Sequence, residues 1–478
     1  MKNIEEEFLE IARQNGLDPF PVIFETIEQD TMNNIASYGL PTRARHWSYG
    51  RSYEHQKTYG EMGYSKIFEV ILNNNPSYAF MMDTNTELQN KFIIFHCYAH
   101  SHFFKNNYLF KNTDRKMISH AAEHATRIDN YIEKYGFDKV ERLMDIGFAL
   151  DSHIDWHKGI FRKPYGKKKI SLRHREVEEF DDVGKNKKSY IIKELINYNF
   201  PPYPEKDILW FMSNYVNLEE WEKDILDIAR EESYYFYPQR LTKTINEGWA
   251  SYWHAELMYQ LDLPAADYLE FVRDHEKVVQ PGGNPFRINP YFLGFRILKD
   301  IEKRWDNKYG KGAGKKKIFQ VCREEDDISF LRNYLTADLV EELNLFTYGY
   351  VKDYTNKDNE EKFIEIKDRV REEVVESLVK PLYNGGAPKI VIKGVDPEGT
   401  LILEHISEEI GTIEQNFAKR TLEYIWELWA APIELKTLDD DGFPIHICFD
   451  EGGPYIRKED EEDSKEDLRK LAPSLFIP

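Results

Sequence analysis

Cysteine is scarce in this 478-residue chain: Cys97, Cys322 and Cys448 are the whole set. An odd, widely spaced trio argues against a disulfide framework and for a reducing compartment, so a cytoplasmic location is expected. Long apolar runs are missing too. No stretch approaches the ~18 uninterrupted apolar residues that a membrane helix needs, so no membrane span is expected. The opening MKNIEEEFLEIARQ is acidic and amphipathic, without the basic-then-apolar order of an export signal. Positive charge is also in deficit, with 64 Lys and Arg against 84 Asp and Glu and a net charge of -20. That balance disfavours nucleic acid as a partner through bulk attraction. The local lysine clusters Phe161–Lys169 and Gly184–Tyr190 read as solvated loops. No fixed-period repeat is visible, which excludes a solenoid.

What the chain does have is aromatic weight, 14% of residues with 30 Tyr and 29 Phe, which suits a helical core packed with large side chains. Apolar residues recur at three and four in LQNKFIIFHCYAHSHFF, DRKMISHAAEHATRIDNYIEKYG, DKVERLMDIGFALDSHIDWH, YIIKELINY, LEEWEKDILDIAREESYYF and LTKTINEGWASYWHAELMYQ. This periodicity predicts helices. Gly39–Gly63 lacks a steady period and reads as a structured loop able to lie over a site, and the lysine-rich interval from about 160 to 190 reads as an inserted loop. Beyond about residue 380 the texture changes, with β-branched runs flanking Asp396–Gly399 and again flanking Asp439–Gly442, a hairpin signal. The expected fold is therefore mainly α. A large helical domain over 1–380 carries the site, and a small α+β module over 381–478 ends in an acidic tail, Glu459–Glu466.

Seven of the 14 histidines fall between residues 96 and 157. Three pairs, His96/His100, His120/His124 and His153/His157, have i, i+4 spacing, which on a helix puts both imidazoles on one face about 5–6 Å apart at Cβ. Such a pair can share a divalent metal, most simply Zn²⁺, if a third ligand comes from elsewhere in the fold. In NEGWASYWH, Glu247 and His254 are seven residues apart and emerge on nearly the same helical face. Glu247 is the expected third ligand. His102, His120, His153 and His157 read as surface or packing residues, and Trp249 and Trp253 as core.

HCYAH (His96–His100) followed by EGWASY (Glu247–Tyr252) resembles the gluzincin metallopeptidases, in which two helical histidines join a glutamate from a later helix. Those enzymes carry H-E-x-x-H, whose glutamate is the general base. Here that position is Cys97, and a thiol cannot take the base role of a carboxylate. Glu123, His124 and His254 are the alternative proton-transfer candidates, and Cys97 is either an acyl-transfer nucleophile or a buried small hydrophobe. Arg43, Arg45 and Arg127 are candidates for pairing a substrate carboxylate, with structural ion pairs as the competing reading.

A longer series of segments, GLPTRARHWSYG, YSKIFEVILNNNPSYAF, FHCYAHSHFFKNN, EHATRI, PEKDILWF, REESYYFYPQRLTKTINEGWASYWH and INPYFLGFRILKDI, resembles in order and register the stage V sporulation protein R family. The resemblance implies a cytoplasmic bacterial protein needed for the spore cortex, a peptidoglycan layer. It also implies association with a serine-kinase-like AAA+ protein and a von Willebrand-type partner. Combined with the residues above, the expectation is a metal-dependent enzyme acting on an amide bond of a peptidoglycan peptide or precursor, by hydrolysis or acyl transfer. The alternative is a non-catalytic regulator or scaffold working with the kinase-like partner.

Overall fold

The computed structural model describes residues 2–61, 69–165, 172–181, 184–193, 200–284, 286, 288–352, 362–407 and 411–458. The fold is mainly helical with small sheets and a C-terminal α+β module, as the periodicity predicts. Two compact units form, each from two chain segments: Met1–Asp129 with Tyr235–Leu382, and Asn130–Tyr234 with Tyr383–Pro478.

The first unit holds a three-stranded sheet. Its central strand Ser77–Met82 runs parallel to Val22–Ile27 and antiparallel to Glu69–Leu72. Leu72, Phe80 and Met82 pack with Met32 and Ile35 of the helix Gln29–Tyr38. Each such fully buried side chain contributes roughly 1.5–3 kcal/mol relative to exposure.

The histidine-bearing helix is Glu87–Asn106. A reciprocal capping box starts it: Gln89 N donates to Thr86 Oγ1 at 3.1 Å while Thr86 N donates to Gln89 Oε1 at 3.0 Å. Phe92, Ile93, Phe95, Tyr98, Ala99 and Phe103 are buried on several sides of it, so this is a central helix rather than a surface one.

NEGWASYWH lies on the helix Lys243–Met258. The amides of Thr244 and Ile245 donate to the buried Asp327 carboxylate at 2.8 Å each, which satisfies two donors that a helix start leaves unpaired. Burial pushes Asp327 up to about 7 against the pull of those amides. Trp249 and Trp253 are fully buried against Phe319, at ring distances of 5.1 and 5.4 Å, as core residues. The next helix, Pro290–Tyr309, comes into backbone contact with this one. A Cβ on Gly248 would stand 2.4 Å from Gly294 C, and a Cβ on Gly294 would stand 2.1 Å from Thr244 O. Only glycine permits that approach.

In the second unit the five-stranded sheet has the order Gly453–Lys458, Pro444–Asp450, Ile433–Leu438, Leu401–His405, Ile390–Val395. Ile390–Val395 with Leu401–His405, and Ile433–Leu438 with Pro444–Asp450, are the two hairpins anticipated around Asp396–Gly399 and Asp439–Gly442. The parallel pair Leu401–His405 and Ile433–Leu438 is joined through the helix Gln415–Trp429, as a parallel connection requires. Glu205, fully buried, is held in the same unit by Arg162 at 2.8 Å, Lys158 and Tyr165, and Arg162 also covers the Trp210 ring at 3.6 Å. Arg162 is thus a structural ion-pair partner, while Lys167–Lys169 lie outside the described residues.

Several local expectations are corrected. Within Gly39–Gly63 a helix, Trp47–Glu61, replaces the expected loop, because single glycines inside a run of helix formers cost only about 1 kcal/mol each. The helix Phe137–Ala149 stops before Lys158, so His153 and His157 share no helical face. Leu172–Asp181 and Gly184–Lys193 pair as an antiparallel hairpin rather than forming an inserted loop. The strand reaches Lys193, so the helix expected from Tyr190 does not begin there; Tyr190, Ile191 and Ile192 favour strand. The Glu459–Glu466 tail lies outside the described residues.

Candidate metal centre

His96 and His100 sit one turn apart on the same helix, and their Nε2 atoms are 2.9 Å from each other. Glu247 Oε2 arrives from the helix Lys243–Met258, 3.3 Å from His100 Nε2 and 4.0 Å from His96 Nε2. A divalent ion with ligand bonds of about 2.0–2.1 Å holds its ligands roughly 3–3.5 Å apart. The trio is close to that spacing. Glu247 Oε2 is buried with His100 Nε2 3.3 Å away and no further hydrogen-bond partner among the described residues, which leaves it acceptor capacity for another group.

The outer ring nitrogens explain why both Nε2 atoms face one point. His100 Nδ1 donates to Asn246 Oδ1 at 2.9 Å. His96 Nδ1 lies 3.0 Å from His254 Nδ1 and beside the Ala250 carbonyl, and His254 Nε2 lies 2.8 Å from His275 Nδ1. The chain can be satisfied in either direction; in one of the two, His96 Nδ1–H donates to His254 Nδ1 and His254 Nε2–H donates to His275 Nδ1, which leaves the His96 Nε2 lone pair facing His100. Burial, then neighbouring imidazoles, holds His96 and His254 well below the ordinary histidine range, and burial brings His275 to about 4. All three are neutral at neutral pH. In that direction His96 presents a lone pair inward, and His100 does so whenever it is neutral, because its Nδ1–H is committed to Asn246; this is the tautomer that metal ligation uses. Burial opposes charge on His100 as well, but the Glu247 carboxylate outweighs it and raises His100 above its ordinary value. A proton or a metal ion can hold the trio together, and the donor set fits a divalent ion.

Two further groups face the centre. Glu69 Oε1 is 3.6 Å from His96 Nε2, outside the mutually close trio. Burial pushes Glu69 up to about 7, with His100 opposing and Glu247 adding. Tyr291, at the start of the helix Pro290–Tyr309, lies parallel to the His96 ring at 6.3 Å and hydrogen-bonds Glu247. Glu69 and Tyr291 line both of two cavities, one of about 520 Å³ that also reaches His100, Asn246 and Glu247, the other of about 600 Å³ that reaches His96 and His254.

The remaining sequence candidates are distributed differently. Arg43 lines the first cavity. Arg45 is exposed and Arg127 half-buried, and neither lines a cavity at the trio. Glu123 is exposed and His124 buried on the helix Met117–Tyr135, and neither joins the trio. Cys97 is fully buried, and burial pushes its thiol well above the ordinary range, so it presents no thiolate. His102 stacks on Trp249 at 5.4 Å and accepts from Asp18 N at 2.8 Å, a packing role. Sequence reasoning missed Glu69, His275 and Tyr291, which carry no helical spacing relative to the histidine pair. It also missed Asn246, although that residue adjoins Glu247.

Similarity to known proteins covers the same residues. An uncharacterized protein, YcgB, of Escherichia coli (strain K12) is 29% identical over 472 residues, spanning 90% of this chain and 90% of the relative. No solved structure matches. The family model described as SpoVR like protein matches residues 1–378, which include every residue of the centre. The chain belongs to the SpoVR family, a family named for sporulation.

Proposed function

We propose that the protein is a metal-dependent enzyme acting on an amide bond of a peptide, with a divalent ion, most simply Zn²⁺, held by His96, His100 and Glu247. The observation that carries this reading is the convergence of three donor atoms while both Nδ1 atoms are committed elsewhere. A divalent ion at that point supplies Lewis-acid polarisation of the amide carbonyl. Glu69 Oε1 is the group placed to take a proton and return it to the leaving nitrogen. Burial favours the protonated form of this carboxyl and a divalent ion beside it would favour the carboxylate, the two forms that such a proton relay needs. It stands in for the glutamate that Cys97 displaces from the helical H-E-x-x-H pattern. His254 and His275 orient His96 rather than touch substrate. The sporulation name of the family directs the choice of substrate to stem peptides of cortex peptidoglycan or their precursors.

The test is to incubate the zinc-loaded full chain with a panel of stem peptides and read product masses. Hydrolysis adds one water and amide formation removes one, so the two reactions separate in one experiment. A mass change abolished by Glu69→Gln supports the reading. Unchanged masses across the panel, with metal bound, count against it.

A further inference from the structure

We propose that the 520 Å³ cavity is a carboxylate subsite, which makes the substrate class a peptide whose free carboxylate lies close to the reacting amide; this rests on the metal-centre reading above. Three cations, Arg43, Arg240 and Lys243, line it, against two carboxylates, Glu69 and Glu247, both at the metal end. Such an accumulation stands out in a chain of net charge -20. The Arg43 guanidinium is held in place by the Tyr38 carbonyl at 3.2 Å and by the rings of Tyr49 and Phe236 at 4.8 and 5.2 Å. A fixed guanidinium loses little freedom on binding a carboxylate. Lys243 precedes Glu247 by four residues on the same helix, so their Cβ atoms are about 5–6 Å apart.

The 600 Å³ cavity lacks this character. It is lined by one cation, Lys277, against two carboxylates, Glu69 and Asp274. The asymmetry orients a peptide: the carboxylate end lies towards Arg43, Arg240 and Lys243, and the rest of the chain towards the 600 Å³ cavity.

The test uses the full chain loaded with Co²⁺, whose visible spectrum reports ligands entering the metal centre. Succinic monohydroxamate and butanoyl hydroxamate carry the same metal-binding head on chains of equal length, one ending in a carboxylate and the other in a methyl. The subsite predicts that the carboxylate-bearing probe binds at least about tenfold more tightly. The exposed Lys243→Glu variant, and independently Arg240→Met, should remove most of that preference while leaving butanoyl hydroxamate binding as it was. Equal binding of the two probes by the wild type, or a preference untouched by both variants, overturns the subsite and leaves the metal centre standing. Failure of both probes to change the spectrum, or failure to take up Co²⁺, overturns the underlying metal reading instead.

Discussion

His96 Nδ1 and His254 Nδ1 are 3.0 Å apart, so the two imidazoles meet through their δ nitrogens and His96 turns its ε nitrogen towards His100 and Glu247. This contact takes His254 out of the ligand set and makes it the residue that holds His96 in orientation. His254→Leu should leave the fold near wild type by circular dichroism yet weaken metal affinity about 10–100-fold, the usual effect of losing a group that orients a ligand. His254→Gln, which retains an acceptor, should recover part of the loss. Competition with a chromophoric chelator measures both.

Acid should expel the metal. The folded pKa of His100 lies above its ordinary 6.5, so His100 takes up a proton as pH falls through the neutral range. Metal binding requires that proton to leave. Affinity should therefore fall as pH drops through that raised value, with proton release accompanying ion binding there. His96, held well below 6.5, contributes nothing in that window. Calorimetry in buffers of different ionisation enthalpy counts the protons.

Gly248→Ala should destabilise the protein by about 2–3 kcal/mol, because its new Cβ meets the Gly294 backbone at 2.4 Å rather than a side chain that can swing aside. Gly283, where a Cβ would meet nothing within 4 Å, is the control. Gly283→Ala should stay within about 0.5 kcal/mol of wild type. Urea midpoints compare the two, and Gly248→Ala should also weaken metal binding by moving Glu247 relative to Tyr291.

Helical periodicity made the principal elements legible. The i, i+4 spacing of His96 and His100 puts them on one face, and they do converge; the i, i+7 spacing of Glu247 and His254 likewise puts both against the histidine helix. Periodicity specifies a face and not a depth, so it could not tell that Glu247 reaches the Nε2 side of the pair while His254 reaches the Nδ1 side of His96. Nor does spacing alone establish a helix. His153 and His157 repeat the pattern on irregular backbone after Ala149. Glu69 comes from a strand that topology alone brings beside His96, and Tyr291 is one of 30 tyrosines. The glycine of NEGWASYWH had a signal that could have been read further: at Gly248 and the glycine of YFLGF, Gly294, the two helix backbones approach too closely for a Cβ.

Elemental mass spectrometry of the full chain, purified without a histidine tag and compared with His96→Ala and Glu247→Ala, tests the central claim most directly. About one equivalent of zinc or another divalent transition metal is expected in the wild type, lost in both variants while their circular dichroism and melting stay near wild type. Wild-type protein that carries no metal and takes none up on titration would contradict it, and would make the His96–His100–Glu247 cluster a proton-bridged core contact.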